Sequence, residues 1–200
     1  MQHTATVWLL DCRGIGDEEL APFAGWLGPS EAQRLARFVR AGRRRQFVAG
    51  RALLRQSLGA LLGMSPESVR LVERPGNAPL LDVPGTEDVG FSLSHSGEWV
   101  ACAVSATSRL GLDVERIDAA RDIDALAAQA FDAEQQAWLA AQPASARVRD
   151  FYQLWSSAEA RFKLGAPVEH EFRLPHPDLS IVLCSAQRLA PQPELKMATW

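Results

Sequence analysis

Apolar residues recur along the chain with two different periods, and these periods predict a mixture of helices and strands. Apolar positions three and four residues apart are typical of helices, whereas short β-branched or alternating runs are typical of strands. Helical patterns cover 17–27, 29–39, 43–62, 117–141 with a break near Asp132, and 146–164. Strand patterns cover 6–12, 69–72, 89–93, 99–105, 110–114 and 179–184. Because the two kinds of segment do not alternate strictly, the pattern predicts an α+β fold.

Turn residues separate these segments. Gly97 lies between two strand patterns and predicts a hairpin, and Gly165 ends the last long helix. The segment 75–84 contains glycines and prolines and predicts a loop.

Composition places the chain among globular proteins. It has 200 residues, of which 47% are hydrophobic and 22% charged. No apolar run reaches the roughly 18–20 residues of a membrane span, and the first residues lack the features of a secretory signal. Three widely spaced cysteines argue against a disulfide framework and a zinc site, and they indicate a reducing compartment. We therefore expect a cytoplasmic protein that has no membrane partner.

Positive charge is concentrated in one acid-free segment, although the net charge is −3. Eight arginines lie between Arg34 and Arg55, and no Asp or Glu occurs between Ala32 and Pro66. Such a segment usually contacts an anion or a nucleic acid. The alternative is a charged surface that is only exposed to water. Phe38 and Phe47 do not form the stacking series of a nucleic-acid module, so nucleic acid is the least favoured partner.

Two acidic residues, Asp113 and Glu115, lie at the end of the strand pattern that covers 110–114. Side chains two positions apart in a strand share a face, which places Asp113 and Glu115 about 6–7 Å apart. Like charges disfavour each other unless a cation lies nearby, and Mg²⁺ is the default cation for carboxylate oxygens. The alternative is a solvated strand edge neutralised by Arg109 or Arg116.

Two further candidates lie on a predicted helix and in a predicted turn. Glu159 and Lys163 have the i, i+4 spacing of a surface ion pair. However, their aromatic neighbours indicate a packed helix, and lysine is rare in this chain. His95 follows a serine in a polar strand end, but no G-x-S-x-G nucleophile elbow is present. An ordinary turn histidine and a phosphate contact both stay open for His95.

Several of these segments occur together in an order that resembles a known family. The segments are 47–55 (FVAGRALLR), 91–96 (FSLSHS), 111–115 (GLDVE) and 151–163 (FYQLWSSAEARFK). Together they resemble the 4′-phosphopantetheinyl transferases of the larger, Sfp-like type, and the resemblance runs from about residue 29 to residue 163. It implies two similar α/β halves, 1–105 and 106–200, related by a pseudo-twofold axis with coenzyme A bound between them.

The resemblance also implies an enzyme of the holo-[acyl-carrier-protein] synthase type. Such an enzyme transfers 4′-phosphopantetheine from coenzyme A to a serine of an acyl or peptidyl carrier protein, and it releases 3′,5′-ADP. Carrier proteins of this kind serve fatty acid, polyketide or nonribosomal peptide biosynthesis. We expect a Mg²⁺-dependent monomer that binds coenzyme A and an apo carrier protein.

Site residues follow from the same resemblance. Asp113, Glu115 and Glu159 would hold Mg²⁺, Glu159 would take the proton from the acceptor serine, and Lys163 would neutralise the leaving 3′,5′-ADP. The residues expected to contact coenzyme A are Arg45, Arg51, Ser94, His95 and Lys163. Arg51 is the candidate for the 3′-phosphate, because a guanidinium offers paired donors. The alternative is that Arg51 only supports its helix.

The chain departs from the family pattern at two positions. Ala158 stands where the family usually has lysine, and Ala78 replaces the lysine of a Gly-Lys-Pro loop. Both changes remove a cation from the expected coenzyme site. Slower activity and compensation by Arg161, Arg74 or Arg45 both stay open, and a degenerate coenzyme A-binding member with little activity is the alternative function.

Overall fold

Helices and strands follow one another irregularly in the computed structural model, which describes residues 2–74 and 76–200. The helices are α1 (Asp17–Ala24), α2 (Pro29–Leu35), α3 (Ala41–Leu62), α4 (Ile123–Ala130), α5 (Ala133–Ala140) and α6 (Ala144–Leu164). The strands are β1 (Thr6–Asp11), β2 (Leu71–Arg74), β3 (Asn77–Leu81), β4 (Gly90–Ser96), β5 (Trp99–Ser105), β6 (Leu110–Arg116), β7 (His170–Arg173), β8 (Leu179–Ser185) and β9 (Leu195–Ala198). The predicted α+β class is confirmed.

Two sheets form the centre of the protein. The first has the strand order β4-β5-β1-β9, and the second has the order β6-β8-β7. Their facing surfaces share one apolar core, to which Leu9 and Ala101 contribute from the first sheet and Leu112 and Ile181 from the second. Burial of this shared surface is the main force that holds the sheets together.

A long helix covers the outer face of each sheet. Leu53 and Leu54 of α3 pack against the first sheet, and Ala160 of α6 packs against the second. The approach of α6 to β6 is very close, since a Cβ atom on Gly111 would lie 2.0 Å from the carbonyl oxygen of Ala160. Glycine at position 111 therefore permits this approach.

The last strand of the chain lies in the first sheet. β9 pairs with β1 in parallel, so residues from both ends of the sequence share one sheet. The indole of Trp200 donates a hydrogen bond to Gln56 at 2.9 Å and packs against Phe23. The predicted division into halves at residue 105 and the pseudo-twofold axis stay predictions.

Most predicted elements are present, with local differences. The hairpin is confirmed and turns at Gly97, where φ is +57°. The predicted loop at 75–84 is wrong where β3 pairs with β2, and Pro75 lies outside the described residues. The predicted helix at 117–141 starts only at Ile123, and Asp132 caps its second part. Within 2–74 and 76–200, no helix has the length and apolar character needed to cross a membrane.

Candidate site at the seam between the two sheets

Serine side chains of β4 join the edges of the two sheets. Their hydroxyl oxygens accept hydrogen bonds from backbone N–H groups of β6. In an ordinary sheet, the carbonyl oxygens of a neighbouring strand accept such bonds. The bonds join Ser92 to Leu112, Ser94 to Val114 and Ser96 to Arg116, at 2.9, 3.1 and 3.0 Å. We call these three serines the serine seam. Gly90 lies two residues before Ser92 and therefore on the same face of β4. A Cβ atom on Gly90 would lie 1.8 Å from the carbonyl oxygen of Ser108.

The two acidic residues of β6 bind the serine seam. Ser94 donates to Asp113 Oδ1 at 3.0 Å, and Ser96 donates to Glu115 Oε2 at 2.6 Å. Asp113 is buried at 3% exposure, and its Oδ2 atom has no hydrogen-bond partner among the described residues. Burial raises the pKa of Glu115 above its usual value, and the neighbouring Asp113 charge adds to this shift. The carboxylates are therefore held within the protein and are not a freely solvated strand edge.

Lys163 reaches these carboxylates from α6. Its ammonium nitrogen lies 2.7 Å from Asp113 Oδ1 and 3.0 Å from Ser94 Oγ. Glu159 lies one helical turn before Lys163, and its side chain makes no hydrogen bond or ion pair within the described part of the chain. Lys163 consequently binds Asp113 across the seam, and no surface ion pair with Glu159 forms.

Part of the predicted magnesium ligand set is assembled. Asp113 and Glu115 supply the oxygen donors that Mg²⁺ prefers, and the buried, unpartnered Oδ2 atom of Asp113 fits a cation. No group of three His, Cys, Asp or Glu side chains within 2–74 and 76–200 comes close enough to hold a metal ion. Two of the three predicted ligands are thus brought together, and Glu159 does not join them in this conformation.

His95 faces away from the carboxylates and meets α3. The guanidinium of Arg43 lies 3.3 Å from both ring nitrogens of His95. Partial burial of the ring and the Arg43 charge lower the pKa of His95, so the ring is neutral at pH 7. A neutral imidazole beside an exposed guanidinium can donate a hydrogen bond to an anion, which keeps the predicted phosphate contact open.

Arg51 lies in a separate ion cluster. Its side chain is only 7% exposed, and its Nε atom lies 3.1 Å from a Glu31 oxygen and 2.9 Å from a Glu73 oxygen. Arg55 binds Glu31 with both terminal nitrogens. Burial lowers the pKa of Arg51, and Glu73 opposes this shift. Arg51 therefore anchors the β2–β3 hairpin to α3 and is not brought to Asp113. Sequence reasoning missed this cluster because both acids, Glu31 and Glu73, lie outside the acid-free segment.

The remaining predicted cations have other partners. Arg45 lies 3.6 Å from Asp17 and is half-exposed. Arg161 donates to Glu171 at 2.8 Å, and Arg74 donates to the carbonyl oxygen of Ala78 at 3.0 Å. Ala78 and Ala158 are both exposed. None of the three arginines thus stands free as a replacement for a missing lysine.

A groove of about 490 Å³ opens elsewhere, beside the segment that connects β7 and β8. Its polar lining includes Arg149, Arg173 and His176, and it contains none of the predicted site residues. The candidate chemistry therefore lies at the seam and not in this groove.

Comparison with known proteins identifies the family. Residues 16–107 match the model of the 4′-phosphopantetheinyl transferase N-terminal region, and residues 109–193 match the 4′-phosphopantetheinyl transferase superfamily. The chain is 32% identical over 148 residues to 4′-phosphopantetheinyl transferase HetI of Nostoc sp., covering 74% of this chain and 62% of HetI. It is 25% identical over 152 residues to 4′-phosphopantetheinyl transferase Sfp of Bacillus subtilis, covering 76% of this chain and 65% of Sfp.

A third relative is 4′-phosphopantetheinyl transferase gsp of Aneurinibacillus migulanus. It is 30% identical over 132 residues, which cover 66% of this chain and 52% of gsp. The chain thus spans between about half and two thirds of the length of these relatives. Because two consecutive models of one family together match residues 16–107 and 109–193, most of the chain, it belongs to the 4′-phosphopantetheinyl transferase family.

Proposed function

We propose that this protein transfers 4′-phosphopantetheine from coenzyme A to a serine of an acyl or peptidyl carrier protein. The observation that carries the proposal is the contact of Lys163 with Asp113 and Ser94. This contact unites three separate segments of the sequence in one place. It puts an ammonium group and paired carboxylates at the junction of the two sheets, where coenzyme A would bind between the halves.

The reaction needs charge neutralisation and alignment more than covalent help. The acceptor serine oxygen forms a bond to the β-phosphorus of coenzyme A, and the bond from that phosphorus to the bridging oxygen breaks to release 3′,5′-ADP. Glu159, which has no partner among the described residues, would take the serine proton. Lys163 would stabilise the negative charge that develops on the departing phosphate.

Asp113 and Glu115 would hold Mg²⁺, with Glu159 as the predicted third ligand. When bound, the cation neutralises pyrophosphate charge. His95 and Arg45 would contact the coenzyme phosphates from the side of α3. Ser94 stays a predicted contact, although its hydroxyl already binds Val114, Asp113 and Lys163.

A second candidate function is coenzyme A binding with little catalytic activity. The exposed Ala78 and Ala158 favour it, because the nearest candidate arginines are bound to other groups. Under this alternative the seam would bind the coenzyme but stabilise the leaving group too weakly for useful turnover.

One measurement separates the two candidates. The protein is incubated with coenzyme A, Mg²⁺ and an apo carrier protein, and the carrier is weighed by mass spectrometry. Transfer predicts a mass increase of one phosphopantetheine group, which disappears when EDTA removes the metal. Asp113→Ala is the matched inactive variant. Coenzyme binding without any mass change would support the second candidate and contradict the first.

A further inference from the structure

The serine seam repeats one structural unit along β4 and β6. In each complete unit a serine hydroxyl accepts the N–H of one β6 residue and donates its proton to the carboxylate of the preceding residue. Ser94 does this with Val114 and Asp113. Ser96 does it with Arg116 and Glu115. A hydroxyl has one proton and two lone pairs, so both bonds can be made together.

The first unit of the seam lacks the carboxylate. Ser92 accepts the N–H of Leu112, but the residue that precedes Leu112 is Gly111. Close packing of α6 excludes any side chain there, as the 2.0 Å approach of the Ala160 oxygen shows. Ser92 therefore joins the sheets through the same kind of bond as Ser96, without binding an acid. A comparison of Ser92 with Ser96 therefore separates the effect of the bond to a carboxylate from the effect of the bond between the sheets.

We infer that Ser96 is a positioning residue for the metal site, which fixes the Glu115 carboxylate so that its second oxygen is available to a divalent cation. The 2.6 Å bond occupies Oε2 of Glu115 and leaves Oε1 without a hydrogen bond within the described residues. The inference rests on the proposed function only in assigning the cation to Asp113 and Glu115.

Physical chemistry supports this assignment. Groups that hydrogen-bond a metal ligand fix its orientation, and their loss typically weakens metal affinity about 10–100-fold. Ser96 is itself fixed by the Arg116 N–H, so its hydroxyl cannot turn freely. The Oγ atom of Ser96 bonds both the Glu115 carboxylate and the Arg116 N–H. The position of Glu115 is thus coupled to the junction between the sheets.

The test compares Ser96→Ala with Ser92→Ala in Mn²⁺ binding, which is measured from the electron paramagnetic resonance signal of the free ion. Mn²⁺ takes the same oxygen ligands as Mg²⁺. Ser96→Ala should raise the dissociation constant about tenfold. Ser92→Ala should change it less than about twofold, since it removes a seam bond without touching a carboxylate. Thermal unfolding should show destabilisation in both variants, because each loses its bond to a backbone N–H of β6.

A further variant tests the coupling to Glu115. In a Glu115→Gln background, Ser96→Ala should cause little additional loss of Mn²⁺ affinity, because the carboxylate is already gone. Equal losses in Ser92→Ala and Ser96→Ala would overturn the inference, as would an undiminished effect in the Glu115→Gln background. Failure of the unchanged protein to bind Mn²⁺ would overturn it too. A protein that shows the predicted binding pattern but transfers no phosphopantetheine would contradict the proposed function and leave the inference standing.

Discussion

The ammonium group of Lys163 lies 2.7 Å from Oδ1 of Asp113, although 50 positions separate these residues in the sequence. The lysine side chain is 28% exposed and the aspartate side chain 4% exposed. The lysine therefore reaches the protein surface, whereas the aspartate is buried beneath it. A cation held at this depth offsets the cost of burying the carboxylate. It also leaves one side of the lysine accessible to an anion.

Replacement of Lys163 should destabilise the protein by leaving Asp113 buried without its cation. Lys163→Met is expected to lower the free energy of unfolding by about 1–3 kcal/mol. Asp113→Asn combined with Lys163→Met should cost less than the sum of the two single changes, because the charge that needed a partner is gone. Urea unfolding of all four proteins measures this coupling. Strict additivity would show that the two side chains do not stabilise each other.

Arg51→Ala should disrupt the cluster with Glu31 and Glu73. Removing one partner of a buried ion pair costs about 3–5 kcal/mol, and Arg45→Ala is the exposed control at about 0.5 kcal/mol or less. If Arg51 acts only through the β2–β3 hairpin, kcat/KM should fall equally with coenzyme A and with dephospho-coenzyme A. A loss confined to coenzyme A would instead assign Arg51 to the 3′-phosphate, as the family resemblance implies.

Gly111→Ala should be strongly destabilising. The added methyl group would lie 2.0 Å from the Ala160 oxygen and 2.5 Å from the Leu164 nitrogen, so α6 would have to move away from β6. We expect Tm to fall by about 10 °C or more, and 10 °C corresponds to a loss of about 2.5–5 kcal/mol in a chain of this size. Gly42→Ala is the control, since its Cβ would meet no atom within 4 Å. An unchanged Tm in Gly111→Ala would contradict the described packing of α6.

Ala158→Lys should restore a cation that the family pattern includes. Ala158 is exposed one residue before Glu159, and Arg161 is bound to Glu171. If the missing charge limits transfer, kcat should rise or the KM for coenzyme A should fall, by up to about tenfold for 1.4 kcal/mol gained. Ala158→Met separates the effect of charge from that of side-chain length. No gain with lysine would mean that another cation already serves the coenzyme.

Strong local patterns were sufficient to predict much of the fold. α3 and α6 extend over about six turns each, which is long enough for their apolar period to be recognised, and Gly97 marks its hairpin by its position alone. β7 and β9 have only four residues each, HEFR and LKMA, which are too short and too polar for a period to be recognised. β3 contains Pro79, and proline argues against a strand unless the strand lies at an edge.

The candidate site was predictable to the extent that it depends on local geometry. The shared face of Asp113 and Glu115 follows from the two-residue period of a strand. The partners of Arg51 do not follow from any period, because Glu31 and Glu73 reach it only through tertiary packing. The alternate positions of the serines at 92, 94 and 96 predict that their side chains share one face of a strand. The alternation does not predict that this face contacts β6.

The pairing of β9 with β1 also bears on how the chain is synthesised. β1 leaves the ribosome long before its parallel neighbour β9, because most of the sequence described above lies between the two strands. Until then β1 carries an open edge that other chains can pair with. Contacts between such distant segments slow folding, and partly folded intermediates with exposed edges aggregate. Expression of this protein should therefore benefit from slow synthesis or low temperature, and the yield of soluble chain measures that dependence.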